Sequence, residues 1–89
     1  MQTIKYVKQP VAVIVAIGTD GQVRPKKFQW KDGNTYKIDR VSKAERAAST
    51  KVGGCGIRYT IIVDGIPRYL YYEDGKWFME DEVIIEDNR

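Results

Sequence analysis

The sequence predicts an all-β fold: a small antiparallel β-barrel or strongly curved meander of about six strands, SH3-like or OB-like in size, with room for one short helix. Three observations predict it. Asp-Gly dipeptides recur at Asp20-Gly21, Asp32-Gly33, Asp64-Gly65 and Asp74-Gly75, each flanked by residues of high strand propensity, and Asp-Gly tolerates the positive backbone angles that tight hairpin turns require. The chain has 89 residues and 43% apolar content, enough for one core and one domain, residues 1–89. Finally, an open sheet built from strands this short would leave costly edges, which favours closure or strong curvature.

The expected strands are 11–18, 22–30, 35–41, 57–63, 66–72 and 76–80, with "IKYV" near the start as a short extra one. The first, "VAVIVAI", is apolar on both faces and reads as a central, fully covered strand. At Asp32-Gly33 a two-residue loop would separate Phe28 and Trp30 from Tyr36 and Ile38, so the polarity pattern predicts an odd, three-residue loop with a bulge. At Asp64-Gly65 a two-residue loop pairs Val63 with Ile66, Ile61 with Arg68, Tyr59 with Leu70 and Ile57 with Tyr72, a nearly all-apolar row. At Asp74-Gly75 the same loop pairs Tyr72 with Trp77 and Leu70 with Met79, carries that face across a third strand, and sets Glu73 opposite Lys76.

Between the third and fourth strands, "SKAERAASTKVGG" lacks strand character. Ser42 and Glu45 have capping-box spacing and Ala44, Ala47 and Ala48 favour helix, so residues 42–52 read as one or two helical turns ending near Gly53, or as a polar loop.

The same registers place Arg58, Thr60, Ile62, Tyr69, Tyr71 and Phe78 on the opposite face, with Arg58, Tyr71 and Phe78 in one cross-strand row. A solvent-facing row of aromatics beside arginine suits base stacking or a dry protein contact. Next to it, the backbone N-H groups around Gly53, Gly54 and Gly56, flanked by Lys51 and Arg58, are the makings of an anion-binding nest, although glycines that merely cap and bend the chain account for them more simply. No phosphate-loop or dinucleotide motif is present, because a strand follows the glycines where those motifs require a helix. The candidate binding residues are therefore Lys51, Gly53, Gly54, Arg58, Tyr69, Tyr71 and Phe78.

Histidine is absent and Cys55 is the one cysteine, which removes the usual zinc ligand sets and the commonest general base. The expectation is a non-enzymatic protein with no cofactor and no metal. Cys55 reads as a small hydrophobe. The start lacks the layout of a signal peptide and no apolar run is long enough to span a bilayer, so a cytoplasmic location is expected. The chain has 15 basic and 12 acidic residues. Residues 80–89 read as an acidic C-terminal tail with five acids and one arginine. The fourteen basic and seven acidic residues of the remainder leave a body of +7, suited to an anionic partner.

The strings "IDRVSKAERAASTKVGGCGIRYT" and "YEDGKWFME" resemble a group of short bacterial proteins of the Firmicutes type. Its Asp-Arg-Val start matches Asp39, Arg40 and Val41. Its central motif matches Ala47, Ala48, Ser49, Lys51, Gly53, Gly54, Gly56, Ile57, Arg58, Tyr59 and Thr60, and its Trp-Phe-x-Glu end matches Trp77, Phe78 and Glu80. The resemblance covers roughly residues 11–80 and implies a bacterial origin and a free-standing small domain, with no activity to carry over. More distantly, "FQWKDGNTYKIDRV" is similar to a small domain found beside translesion DNA polymerases. Two functions are thus expected of a binding or adaptor module. One is protein interaction or self-association through the aromatic face. The other is a nucleic-acid-binding accessory role, linked to repair or translesion synthesis.

Overall fold

The computed structural model describes residues 2–48 and 55–86. Eight strands form two antiparallel sheets: β1 (Gln2–Pro10), β2 (Ala12–Ile17), β3 (Val23–Gln29), β4 (Thr35–Lys37), β5 (Arg40–Ala48), β6 (Cys55–Val63), β7 (Ile66–Glu73) and β8 (Lys76–Glu86). The larger sheet runs β1-β8-β7-β6-β5 and the smaller β2-β3-β4. The ladders do not close into a barrel. Eight strands appear where six were expected because the short extra strand around "IKYV" is a full one, β1, and the segment after residue 40 is strand, β5; the chain turns between the sheets at two corners. Val11 separates β1 from β2 and donates its N-H to the Trp77 carbonyl, while Ile38 and Asp39 separate β4 from β5, with the Asp39 N-H on the Ile62 carbonyl.

All four Asp-Gly dipeptides make turns, in two forms. Asp64 and Gly65, and likewise Asp74 and Gly75, have positive φ at both central positions, the type I′ geometry whose twist matches that of the flanking strands. They fix the expected registers of Val63 on Ile66, Ile61 on Arg68, Tyr59 on Leu70, Ile57 on Tyr72, Tyr72 on Trp77 and Glu73 on Lys76. The β7–β8 ladder stops at Tyr71 and Phe78, short of the expected Leu70–Met79 pair. The other two turns enclose three residues. In the expected one at Asp32-Gly33, Trp30 donates to the Asn34 carbonyl and Gly33 donates back to Trp30; Gly18, Gly21 and Gln22 repeat the pattern at Asp20-Gly21. Phe28 accordingly lies opposite Tyr36, with the rings stacked 5.5 Å apart.

The core lies between the sheets. Tyr59, Ile61, Val63, Leu70 and Met79 from the larger sheet meet Phe28 from the smaller, with Val11 and Ile38 at the corners and Val13, Trp30, Tyr36, Ile57, Tyr72 and Trp77 packed around them. Pro25 is fully buried on β3 beside a register shift, where Lys26 is the extra residue and its carbonyl accepts the Ile38 N-H. A bulge is where a sheet tolerates proline.

Three expectations are corrected. Residues 42–48 are strand, not helix: Ser42 bonds the Thr60 carbonyl and Glu45 lies opposite Arg58, so pairing with β6 overrides the helical preference of the alanines. Residues 49–52 of that segment, and Gly53 and Gly54, lie outside the described residues. Second, β2 is an edge strand of the smaller sheet, with Ile14 62% and Ile17 68% exposed, because among the described residues β3 alone pairs with it and only its Val13 and Val15 side turns inward. Third, the last strand, expected over 76–80, runs on into the acidic stretch. β8 continues to Glu86 in unbroken register with β1, from Pro10 on Phe78 to Gln2 on Glu86.

Beyond Asp81 this β1–β8 pair has no layer on either face among the described residues. Ile4 and Ile84, directly opposite one another, are exposed on one side and Val83 and Ile85 on the other. The ribbon contributes to a long axis of 58 Å against 26 and 21 Å for the others.

Two glycine substitutions separate backbone strain from steric conflict. At Gly75, φ is +78° and a Cβ meets nothing within 4 Å, so Gly75→Ala costs about 1–2 kcal/mol, the penalty of the left-handed region alone. At Gly56 on β6 a Cβ would fall 2.1 Å from the Tyr72 carbonyl oxygen, so Gly56→Ala must push β7 backbone aside and is expected to destabilise more. Urea unfolding followed by tryptophan fluorescence checks the order.

Candidate binding surfaces

The outer face of the larger sheet carries the expected row. Glu45 on β5, Arg58 on β6, Tyr71 on β7, Phe78 on β8 and Pro10 on β1 are successive cross-strand partners. Two type I′ turns set this order, since each fixes which residues share a face. Tyr71 and Phe78 stack with centroids 5.0 Å apart and planes within 8°. The row is not an open platform: Tyr71 is 4% and Phe78 6% exposed. Long charged side chains cover the rings. Lys8 Nζ sits 4.7 Å from the Phe78 centroid and also 3.5 Å from Glu73 Oε1, and the Arg58 guanidinium lies 4.6 Å from the exposed Tyr69 ring. Lysine and arginine stems are suited to such cover, their heads staying in water.

Arg58 Nη2 donates to Glu45 Oε1 at 2.6 Å, with Lys43 3.2 Å from the other carboxylate oxygen. Hydrogen bonding by Arg58, then by Lys43, holds the Glu45 carboxyl below its ordinary value, and the same contact raises Arg58. Tyr71 donates its hydroxyl to Glu80 Oε1 at 2.9 Å; burial first, and this acceptor second, push its phenol up. Arg58 Nε is buried with no hydrogen-bond partner among the described residues. Of the expected binding residues, Arg58, Tyr69, Tyr71 and Phe78 are thus gathered on one face. Lys51, Gly53 and Gly54 lie outside the described residues, and Gly56 is a ladder residue opposite Ala47.

A second feature escaped the sequence reading. β8 leaves β7 after Phe78 but stays with β1, and the separation opens a cleft of about 480 Å³ between β8, the β6–β7 hairpin and the smaller sheet. Phe28, Trp30, Tyr36, Val63, Ile66 and Met79 supply its apolar surface, and Asp64, Asp81 and Arg68 its charged groups; Glu80 and Glu82 also line it, but their carboxylates accept the Tyr71 and Tyr6 hydroxyls. Lys31, from the turn after β3, bonds Asp81 Oδ2 and lies 5.8 Å from the Trp30 ring centroid, while Asp81 Oδ1 accepts the Glu82 N-H. The available signal was the Arg68 position, a charge in an otherwise apolar row.

Among the described residues no three His, Cys, Asp or Glu side chains are grouped to hold a metal ion, and no helix is long and apolar enough to cross a membrane. Comparison with protein-family models, curated proteins and solved structures gives no match, so function is argued from these surfaces alone.

The carboxylates give stability a pH dependence of definite sign. Asp20 is lowered first by its Arg24 hydrogen bond, Asp32 first by the Asn34 N-H, and Glu45 first by Arg58, from ordinary values of 3.8, 3.8 and 4.5. A carboxyl with a depressed folded-state pKa contributes stability above its unfolded value and loses it as pH falls through the folded one. The melting temperature should therefore hold from neutrality to about pH 5 and drop below about pH 4.5, a window set by these unfolded values. Glu45→Gln should flatten the drop, as read by circular dichroism melts across that range.

Proposed function

We propose that this protein is a non-enzymatic cytoplasmic binding module that assembles with a second copy of itself through the β1–β8 ribbon. The single observation behind this reading is that ribbon, whose two strands expose Ile4 and Ile84 on one face and Val83 and Ile85 on the other. A two-stranded ribbon without a covering layer is marginal in water, and contiguous exposed apolar side chains are the usual mark of an interaction surface. A second copy fits because the charges divide lengthwise: β1 bears Lys5 and Lys8, while β8 bears Glu80, Asp81, Glu82 and Glu86. Two ribbons crossing with opposite polarity set basic strand beside acidic strand, and a two-fold repeats the contact. The assembly surface is thereby moved from the aromatic row, whose Tyr71 and Phe78 rings are already buried, to the strands alongside it.

The nucleic-acid reading keeps its electrostatic support, the +7 body and the facing pair Lys27 and Lys37 on the smaller sheet. It has less from stacking, since Tyr69, beside the row, is the exposed ring of that face and Arg58 lies against it.

Analytical ultracentrifugation checks the proposal. Wild type should move from monomer to dimer with rising concentration, and the Ile4→Glu/Ile84→Glu variant should remain a monomer with an unchanged fold by circular dichroism. A wild type that stays monomeric at millimolar concentration overturns self-assembly. Salt-sensitive binding of labelled single-stranded DNA, abolished by Lys27→Ala/Lys37→Ala, would put the nucleic-acid reading in its place.

A further inference from the structure

The smaller sheet ends on one side at β2, whose sequence "AVIVAI" pairs with β3 alone among the described residues. Edge strands are ordinarily blunted by charges, proline or a bulge, because their unpaired backbone groups invite another strand. β2 has no charge and no proline, and the register shift beside Ile14 and Val15 is taken up by the extra residue Lys26 on β3. The ladder decides which groups it offers. Gly18 donates its N-H to the Gln22 carbonyl across the adjoining turn, so the even-numbered residues of β2 turn their backbone groups to β3, while Val13, Val15 and Ile17 turn theirs outward. Side chains divide in the same register: Val13 and Val15 are half-buried on the core side, and Ile14 faces solvent.

The solvent face beside that edge sets the chemistry of a strand that fits it. Ile14, Lys27 and Lys37 form one cross-strand row, on the side of the sheet opposite the buried Phe28. Two lysines directly opposite one another repel. Among the described residues neither makes an ion pair, whereas Arg24, further along β3, is held by Asp20. A depression of about 200 Å³ has Ile14, Lys27, Gln29 and Thr35 in its walls. An added strand lies about 10 Å from β3, two strand spacings, a gap that a glutamate stem and a lysine stem close between them.

We infer that the open edge of β2 receives an extended segment of a partner protein in which acidic and apolar residues alternate. Its apolar residues continue the inward row of Val13 and Val15, its acids reach across Ile14 to Lys27, with Lys37 behind, and its backbone meets the groups that Val13, Val15 and Ile17 turn outward. The same lysines discriminate against the β2 edge of another copy, which brings like charge. The inference goes beyond the ribbon reading and does not need it.

The experiment is a fluorescence-anisotropy titration with a labelled peptide of alternating glutamate and valine, at low and at physiological salt, and with a lysine-valine peptide of equal length. The expected result is saturable, salt-weakened binding of the acidic peptide alone. Lys27→Gln/Lys37→Gln should weaken it roughly three- to tenfold, as two solvent-exposed charge contacts are lost, and Lys27→Glu/Lys37→Glu should transfer the preference to the lysine-valine peptide; circular dichroism checks the fold of each variant. Backbone pairing is read on the peptide itself. N-methyl groups on its valines should abolish antiparallel addition while N-methyl groups on its glutamates are tolerated, because alternate N-H groups point to opposite edges of a strand; parallel addition reverses the two. The inference is overturned if the acidic and basic peptides bind alike, if charge reversal leaves the preference unchanged, if both N-methylated peptides bind as well as the parent, or if single-stranded DNA displaces the peptide at comparable concentration, which would make the lysines a phosphate site. Repeating the titration on Ile4→Glu/Ile84→Glu keeps the two readings apart: retained peptide binding there upholds the β2 edge whatever becomes of the ribbon, and its loss there counts against a separate site.

Discussion

The register of β6 against β7 is the constraint on which the rest of this fold depends. Ile61 and Leu70, both fully buried, and Tyr59 belong to the row that meets the smaller sheet, while Arg58 and Tyr71 belong to the opposite row. A slip of one residue would exchange these rows, driving Arg58 into the core and Leu70 into water. Asp64 and Gly65 prevent it, because a two-residue turn with both central angles positive admits one pairing only, and Asp74 and Gly75 pass the same assignment to β8. Once those faces are assigned, the positions of the core, the covered aromatic row and the cleft all follow.

The outer row illustrates how a β protein can bury aromatics without a second layer. Tyr71 and Phe78 satisfy one another as a stacked pair, and neighbouring side chains complete the cover: Lys8 anchored by Glu73, and Arg58 anchored by Glu45. Each charged group thus has both an apolar surface to lie on and an opposite charge to hold it. Individually these exposed pairs are weak, but they orient stems whose burial of ring surface is hydrophobic in origin. The face is a lid made of surface residues, and sequence polarity alone does not distinguish such a lid from an open platform.

What was legible in the sequence was local. Turn chemistry at the four Asp-Gly sites, the three-residue loop at Asp32-Gly33 and the row Arg58, Tyr71, Phe78 all follow from backbone preferences and a period of two. What was not legible depends on which strand finds which. The stretch around Val13 reads as covered because it is apolar on both faces, yet coverage is decided by the number of neighbours, and β2 has one. Residues 42–48 read as helical because propensity counts alanines and is blind to β6, whose edge they pair. The cleft was hidden for a similar reason: the parting of β7 from β8 after Phe78 follows from β8 keeping to β1, an attachment set by the far end of the chain.

The open edge of β2 bears on how this molecule behaves in quantity. "AVIVAI" is six residues long, uncharged, free of proline, and bordered on one side by solvent, which is the composition from which cross-β stacks grow. Its protection is borrowed from the neighbouring strand, where Lys27 faces Ile14, so that copies approaching edge to edge bring like charges together. That guard is electrostatic and fades as ions screen it. Fibre growth is therefore a hazard of concentrated, salty solution, held off by a basic residue on the next strand rather than by the apolar strand itself.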